Sequence, residues 1–90
     1  MDAKEAVALA KQHIQTLFAN EGIVNVGLEE VEFDRAHQAW NITIGFSRPW
    51  DVHDDFPLIR KNMLRTYKKV VLSNQDQSVL SVKNRDVAEA

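Results

Sequence analysis

The chain has no cysteine. Disulfide stapling, thiolate metal sites and thiol catalysis are therefore excluded. It has no excess of basic charge, since the net charge is -2. Counterion-driven attachment to phosphate backbones needs a basic surface, so nucleic-acid affinity is not expected. No apolar run approaches the ~20 residues that a membrane span requires. The opening Met-Asp-Ala-Lys-Glu lacks the apolar core of a signal peptide, and the chain reads as cytoplasmic, with no membrane partner. There is no internal repeat, no low-complexity tract, and no motif specific for a catalytic, metal or nucleotide site. No cofactor is expected.

What is present is a soluble globular composition. Hydrophobic residues make up 44% of the 90 positions and charged residues 27%, which suits one small domain. A domain of this size buries only about 60–65% of its unfolded surface. The clearest local pattern is Trp40-Asn41-Ile42-Thr43-Ile44-Gly45-Phe46-Ser47. Large apolar residues fall on every second position, the mark of a strand with one buried face. Such a sheet needs one more layer.

The N-terminus supplies it. Residues 2–20 read as an amphipathic helix with Asp2 as cap and Glu5 at the capping-box spacing. Ala3, Ala6, Val7, Ala10, Ile14, Leu17 and Phe18 form one stripe at 100° per residue. The alanines predict close approach to the sheet in the first half of the helix. Gly22 suits the left-handed residue that ends it.

Strands are expected over about 24–34, 40–48, 66–73 and 78–84. In the first, Val24, Val26 and Leu28 share one parity while Val31 and Phe33 share the other, and one extra residue near Glu29-Glu30 reconciles them as a β-bulge. In the last hairpin, Val70, Leu72, Leu80 and Val82 cannot share a surface with Val71 and Val79. The leftover apolar area predicts a cover from the long loop or from a second subunit. Trp40 is assigned to the core, and Tyr67 is expected to share its face. The tail from Asn84 is expected to fray. Strand order and hairpin connections give an α+β domain, one N-terminal helix packed on a four-stranded antiparallel meander.

This layout resembles the PepSY-type domain and its cystatin-like relatives. The resemblance rests on the helix Glu5-Ala6-Val7-Ala8-Leu9-Ala10-Lys11, the strand opening Trp40-Asn41-Ile42-Thr43-Ile44, and the closing hairpin from Tyr67-Lys68-Lys69-Val70-Val71-Leu72 to Val79-Leu80-Ser81-Val82-Lys83. It implies a small protein- or peptide-binding regulatory module and carries no catalytic residues with it.

Residues 49–65 form an irregular segment, long for a connection inside a compact domain. The expected interaction surface is Arg48, Trp50, Asp51, His53, Asp54, Asp55, Phe56, Arg60 and Lys61. Trp and Arg are enriched at binding hot spots, so Trp50 and Phe56 are the apolar anchors for an unknown protein partner. Arg48 is alternatively a structural partner of a loop aspartate. A turn of helix around Leu58 to Leu64 is considered. Arg60, Lys61, Arg65, Lys68 and Lys69 form a basic cluster that either meets an acidic partner or neutralises the aspartates. Three readings follow. The first is a non-enzymatic interaction module, with a homodimer as one form of it. The second is a small metal-dependent or acid–base enzyme using Asp51–Asp55 and His53. The third is an immunity-type or accessory subunit.

Overall fold

The helix begins where its cap is complete. In the structure, a computed structural model that describes residues 1–49 and 65–85, α1 spans Ala3–Leu17. The Asp2 carboxylate accepts from Glu5 N–H at 2.8 Å, and the Glu5 side chain accepts from Asp2 N–H at 3.1 Å. Two otherwise orphaned donors are thereby satisfied. The helix loosens at Phe18 into a 3-10 turn, Ala19–Glu21, and stops at Gly22 with φ 62°. The Pro49 ring lies 3.3 Å from where a Gly22 Cβ would sit, so conformation and space both favour glycine there.

Four strands follow: β1 (Val24–Asp34), β2 (Ala39–Ser47), β3 (Thr66–Ser73) and β4 (Val79–Asn84). They form one antiparallel sheet in the order β1-β2-β3-β4. The α+β meander read from the sequence is the observed architecture.

Register sorts the side chains into rows on the helix-covered face. One row is Phe33, Trp40, Leu72 and Val79, the next is Val31, Ile42, Val70 and Val82, and the third is Leu28, Ile44, Lys68 and Asn84. Ala6, Ala10 and Ile14 of α1 are fully buried against this face, with Ile42, Ile44, Phe46, Val70 and Leu72. Each large side chain so buried contributes about 1.5–3 kcal/mol.

Two bulges keep the first two of those rows apolar. Leu28 opposes Ile44 and Glu30 opposes Thr43, which leaves Glu29 as the extra residue and restores the parity of Val31 and Phe33. On β4, Val71 opposes Ser81 and Leu72 opposes Val79, so Leu80 is the extra residue. Val79 and Val82 then both face the helix, and Leu80 stands 59% exposed. Val79 thus joins Val70, Leu72 and Val82 while Val71 stays on the other face, and the loop expected to cover the leftover area lies outside the described residues. A further register shift between Val24 and Gly27, with Asn25 at φ 57°, separates Val24 from Val26 and Leu28.

Three side-chain assignments are corrected. Tyr67 opposes Gly45, not a core residue, and lies on the face away from the helix. Leu17 is 54% exposed although its helical angle points toward the stripe, because the helix ends there. Ala3 is exposed as well. The tail begins later than expected: Asn84 closes β4, and Arg85 N–H donates to Tyr67 C=O at 3.0 Å.

One end of the sheet is tied by its turns. Trp40 is half-buried, and its indole N–H donates to Asn74 Oδ1 at 3.0 Å, while Asn74 N–H donates to Gln38 C=O at 2.9 Å. In the β1–β2 turn, His37 donates to Asp34 from both its ring and its backbone, and these bonds hold the Asp34 carboxyl below its ordinary value. In the β3–β4 turn, the Ser78 hydroxyl and backbone N–H do the same for Asp76. A carboxyl lowered in the folded state stabilises above its unfolded value of 3.8 and loses that contribution as pH falls through the folded value. Asp34→Asn/Asp76→Asn should therefore be less stable than wild type at about pH 6, with the difference shrinking as pH falls below 3.8. Urea midpoints across that range check this. A constant offset at every pH would contradict it.

Candidate functional site

The opposite end of the sheet carries the most unusual chemistry. On β3, alternation places Thr66, Lys68, Val70 and Leu72 on the helix-covered face. Lys68 therefore stands beside fully buried Ile44, in a row flanked by Ile42 and Val70 on one side and by Phe46 and Thr66 on the other. Its ammonium lies 5.4 Å from the centroid of the Phe18 ring and donates to Asn84 Oδ1, directly across on β4. Burial holds the Lys68 ammonium below its ordinary value. The nearby Arg48 charge adds to the shift, and Glu21 opposes it.

Arg48 approaches the same ring. Its guanidinium carbon is 5.6 Å from the Phe18 centroid and 5.5 Å from that of Phe46. The two rings pack at 5.3 Å and a 41° tilt. Cations over ring faces are attracted by the aromatic quadrupole, by about 0.5–1 kcal/mol at exposed sites. Arg48 Nε also stands 3.0 Å from Glu21 Oε1 on the 3-10 turn. Among the described residues, two cations, one carboxylate and two aromatic rings thus converge where α1 ends and β2 leaves the sheet. Glu21 is thus one partner of Arg48, and the loop aspartates expected to pair with it lie outside the described residues.

Of the surface expected from the sequence, Arg48 alone lies within the described residues. Trp50, Asp51, His53, Asp54, Asp55, Phe56, Arg60 and Lys61 lie outside them, as does the turn considered around Leu58 to Leu64. The basic cluster is divided. Lys68 faces the helix side, whereas Lys69 points to the other face because neighbours on a strand alternate. Arg65 also crosses the far face, where its Nη2 meets Glu29 Oε2 at 3.2 Å. That ion pair lies flat over Gly45: an added Cβ would stand 2.7 Å from Glu29 Oε2 and 2.8 Å from Arg65 Nη2.

Lys68 and Phe18 were legible as strand and helix residues but not as a site. Parity with Val70 and Leu72 was the available signal, since it places a lysine on an apolar face.

Among the described residues, two depressions of about 260 Å³ lie on the fold. One lies on the far face between Glu29, Glu30, Thr43, Tyr67 and Arg85. Its carboxylates are occupied: Glu29 meets Arg65, and Glu30 meets Arg85, which also donates to Thr43 Oγ1 at 3.2 Å. The other runs between α1 and the β3–β4 hairpin, past Leu9, His13, Leu72 and Val79. Among the described residues no group of three acidic or histidine side chains is placed to hold a metal ion, and no helix is long and apolar enough to cross a membrane.

No family model, no curated protein and no solved structure matches this chain.

Proposed function

We propose that this protein is a small non-enzymatic interaction module of the regulatory kind that PepSY-type domains exemplify, working in the cytoplasm on a protein partner. The observation that carries the reading is Lys68. A lysine half-buried beside Ile44, with a second cation over the same ring, is a costly arrangement for a small core. Perturbed charged groups gather at functional sites more often than elsewhere. The partner is reached by the corner of Phe18, Arg48 and Lys68, together with the segment that begins at Arg48, in which Trp50 and Phe56 are the anchors. The carboxylates of the far-face depression are each engaged by an arginine, which favours a structural role for them over acid–base work.

Affinity capture with wild type and Lys68→Glu tests the reading. Proteins held by wild type should be lost from the variant, with unchanged circular dichroism. The same set on both would contradict it. A second copy of the chain is the alternative partner. Leu28 and Val31 of the sheet-edge strand β1 are 42% and 36% exposed on the helix side, and exposed apolar residues on an edge invite association. Light scattering at rising concentration separates the two: Leu28→Glu lowers the mass only if the chain self-associates there.

A further inference from the structure

We propose that the chain adds to itself edge to edge: β4 of one copy takes β1 of a second copy as its next strand. The proposal gives the second-copy partner named above a defined seat, and it uses neither Lys68 nor the corner around Phe18. β1 and β4 are the outer strands of the four-stranded sheet, and outer strands are templates for pairing with another chain. Successive strands alternate in direction. A copy displaced along the sheet therefore brings its β1 to β4 in the antiparallel sense, with the hydrogen-bond pattern the sheet already uses. Both edges offer exposed apolar side chains: Leu28 and Val31 on β1, and Leu80 on β4. Because α1 lies over β1, β2 and β3, the second copy also brings its own helix up beside β4.

Charge selects this pairing over the others. On the face away from the helix, one row runs Glu30, Thr43, Lys69 and Lys83. Glu30 and Glu32 are exposed on β1, and Lys83 is exposed on β4. Lys69 and Lys83 stand directly opposite one another, where like charges repel. Continuing the row across the junction sets Glu30 of the second copy beside Lys83 and brings Glu32 within diagonal reach of it. The same register sets Val31 beside Val82 and Phe33 beside Val79 on the helix side. Joining β1 to β1 would instead bring two acidic strands together, and joining β4 to β4 would bring lysine to lysine. The contact is therefore heterologous, and each added copy presents a fresh edge.

The test is sedimentation velocity on the full chain at rising concentration, as wild type, Glu32→Lys and Lys83→Glu, and as an equimolar mixture of the two variants. Both residues are exposed, so circular dichroism should be unchanged. Glu30 is left in place because it meets Arg85 of its own chain. The wild-type weight-average mass should rise with concentration. Either variant alone sets like charges across the junction and should associate about three- to tenfold more weakly. The mixture restores opposite charges wherever unlike copies meet and should regain wild-type association. A wild-type mass that stays at that of one chain overturns the proposal. So does Glu32→Lys associating as well as wild type, which is the mark of a β1–β1 dimer, and so does a mixture no more associated than its parts. Lysate capture with Lys68→Glu reads the other surface. Capture lost in that variant, with a wild type that never self-associates, removes the edge contact and leaves the interaction module. Capture unchanged, with the mass pattern as expected, removes the module and leaves the edge contact.

Discussion

Phe46→Ala should come close to unfolding the protein. Phe46 is fully buried on β2, stacks on Phe18 and carries the Arg48 guanidinium. Truncating a buried Phe costs about 3–5 kcal/mol, from lost transfer energy and the cavity left behind. A domain of this size has about 5–13 kcal/mol in total. The melting temperature should fall by about 12–40 °C. The ring is also the floor of the cationic corner, so the loss is local as well as global. Thermal melts followed by circular dichroism give the answer, and a fall below about 5 °C would mean that the ring is not the support it is taken to be.

Ala10→Leu should be the second-largest loss. Ala10 is fully buried where α1 crosses the sheet, one turn after Ala6, which is equally buried. Two small residues on successive turns let the helix backbone approach the strands. Extra methyl groups in a close-packed interior force the helix to lift or tilt, which costs about 1–3 kcal/mol. Ala8 is exposed on the same helix, so Ala8→Leu is the control and should change stability by no more than about 0.5 kcal/mol. Urea unfolding of the pair isolates the packing effect. Equal midpoints for the two variants would show that the helix–sheet spacing is not set by Ala10.

The strands were legible where one face is buried and one is not. Trp40 to Phe46 show this, because a period of two has no other physical cause in a chain of that composition. The bulge at Glu29 could be read as well, since Val31 and Phe33 reverse the parity of Val26 and Leu28 and a single extra residue repairs it. The bulge at Leu80 was not read. Val79 and Val82 are three apart, a spacing that equally suits apolar residues on two faces, and register against Leu72 decides it. Tyr67 went to the wrong face for a related reason: an aromatic next to an apolar strand invites a core assignment, but its parity is that of Lys69 and Val71.

The cationic corner needed three-dimensional information. Arg48 meets Glu21, and Lys68 meets Phe18, pairs brought together only when α1 lies across β2 and β3. Nothing local in the chain encodes those meetings. Runs such as Lys68-Lys69 look like one basic patch in sequence, yet a strand sends their charges to opposite faces of the sheet.

Burial works against the charged form of Lys68. Its folded value is lowered from 10.5, chiefly by burial. A base lowered in the folded state binds fewer protons than in the unfolded chain, so stability rises as pH climbs from the folded value toward 10.5, and the charged form weakens the fold below that window. The cation–π contact with Phe18 and the bond to Asn84 act in the opposite direction. A lysine retained in such a position is understandable if the charge is kept for recognition.

The most direct measurement is urea unfolding of Lys68→Met beside wild type at neutral pH. If the lysine is held for a partner, the methionine variant should be as stable as wild type or more so, within about 1 kcal/mol on the unfavourable side. A loss of about 2–3 kcal/mol or more, the size seen when a core side chain is truncated, would make Lys68 a structural residue and contradict its assignment to recognition.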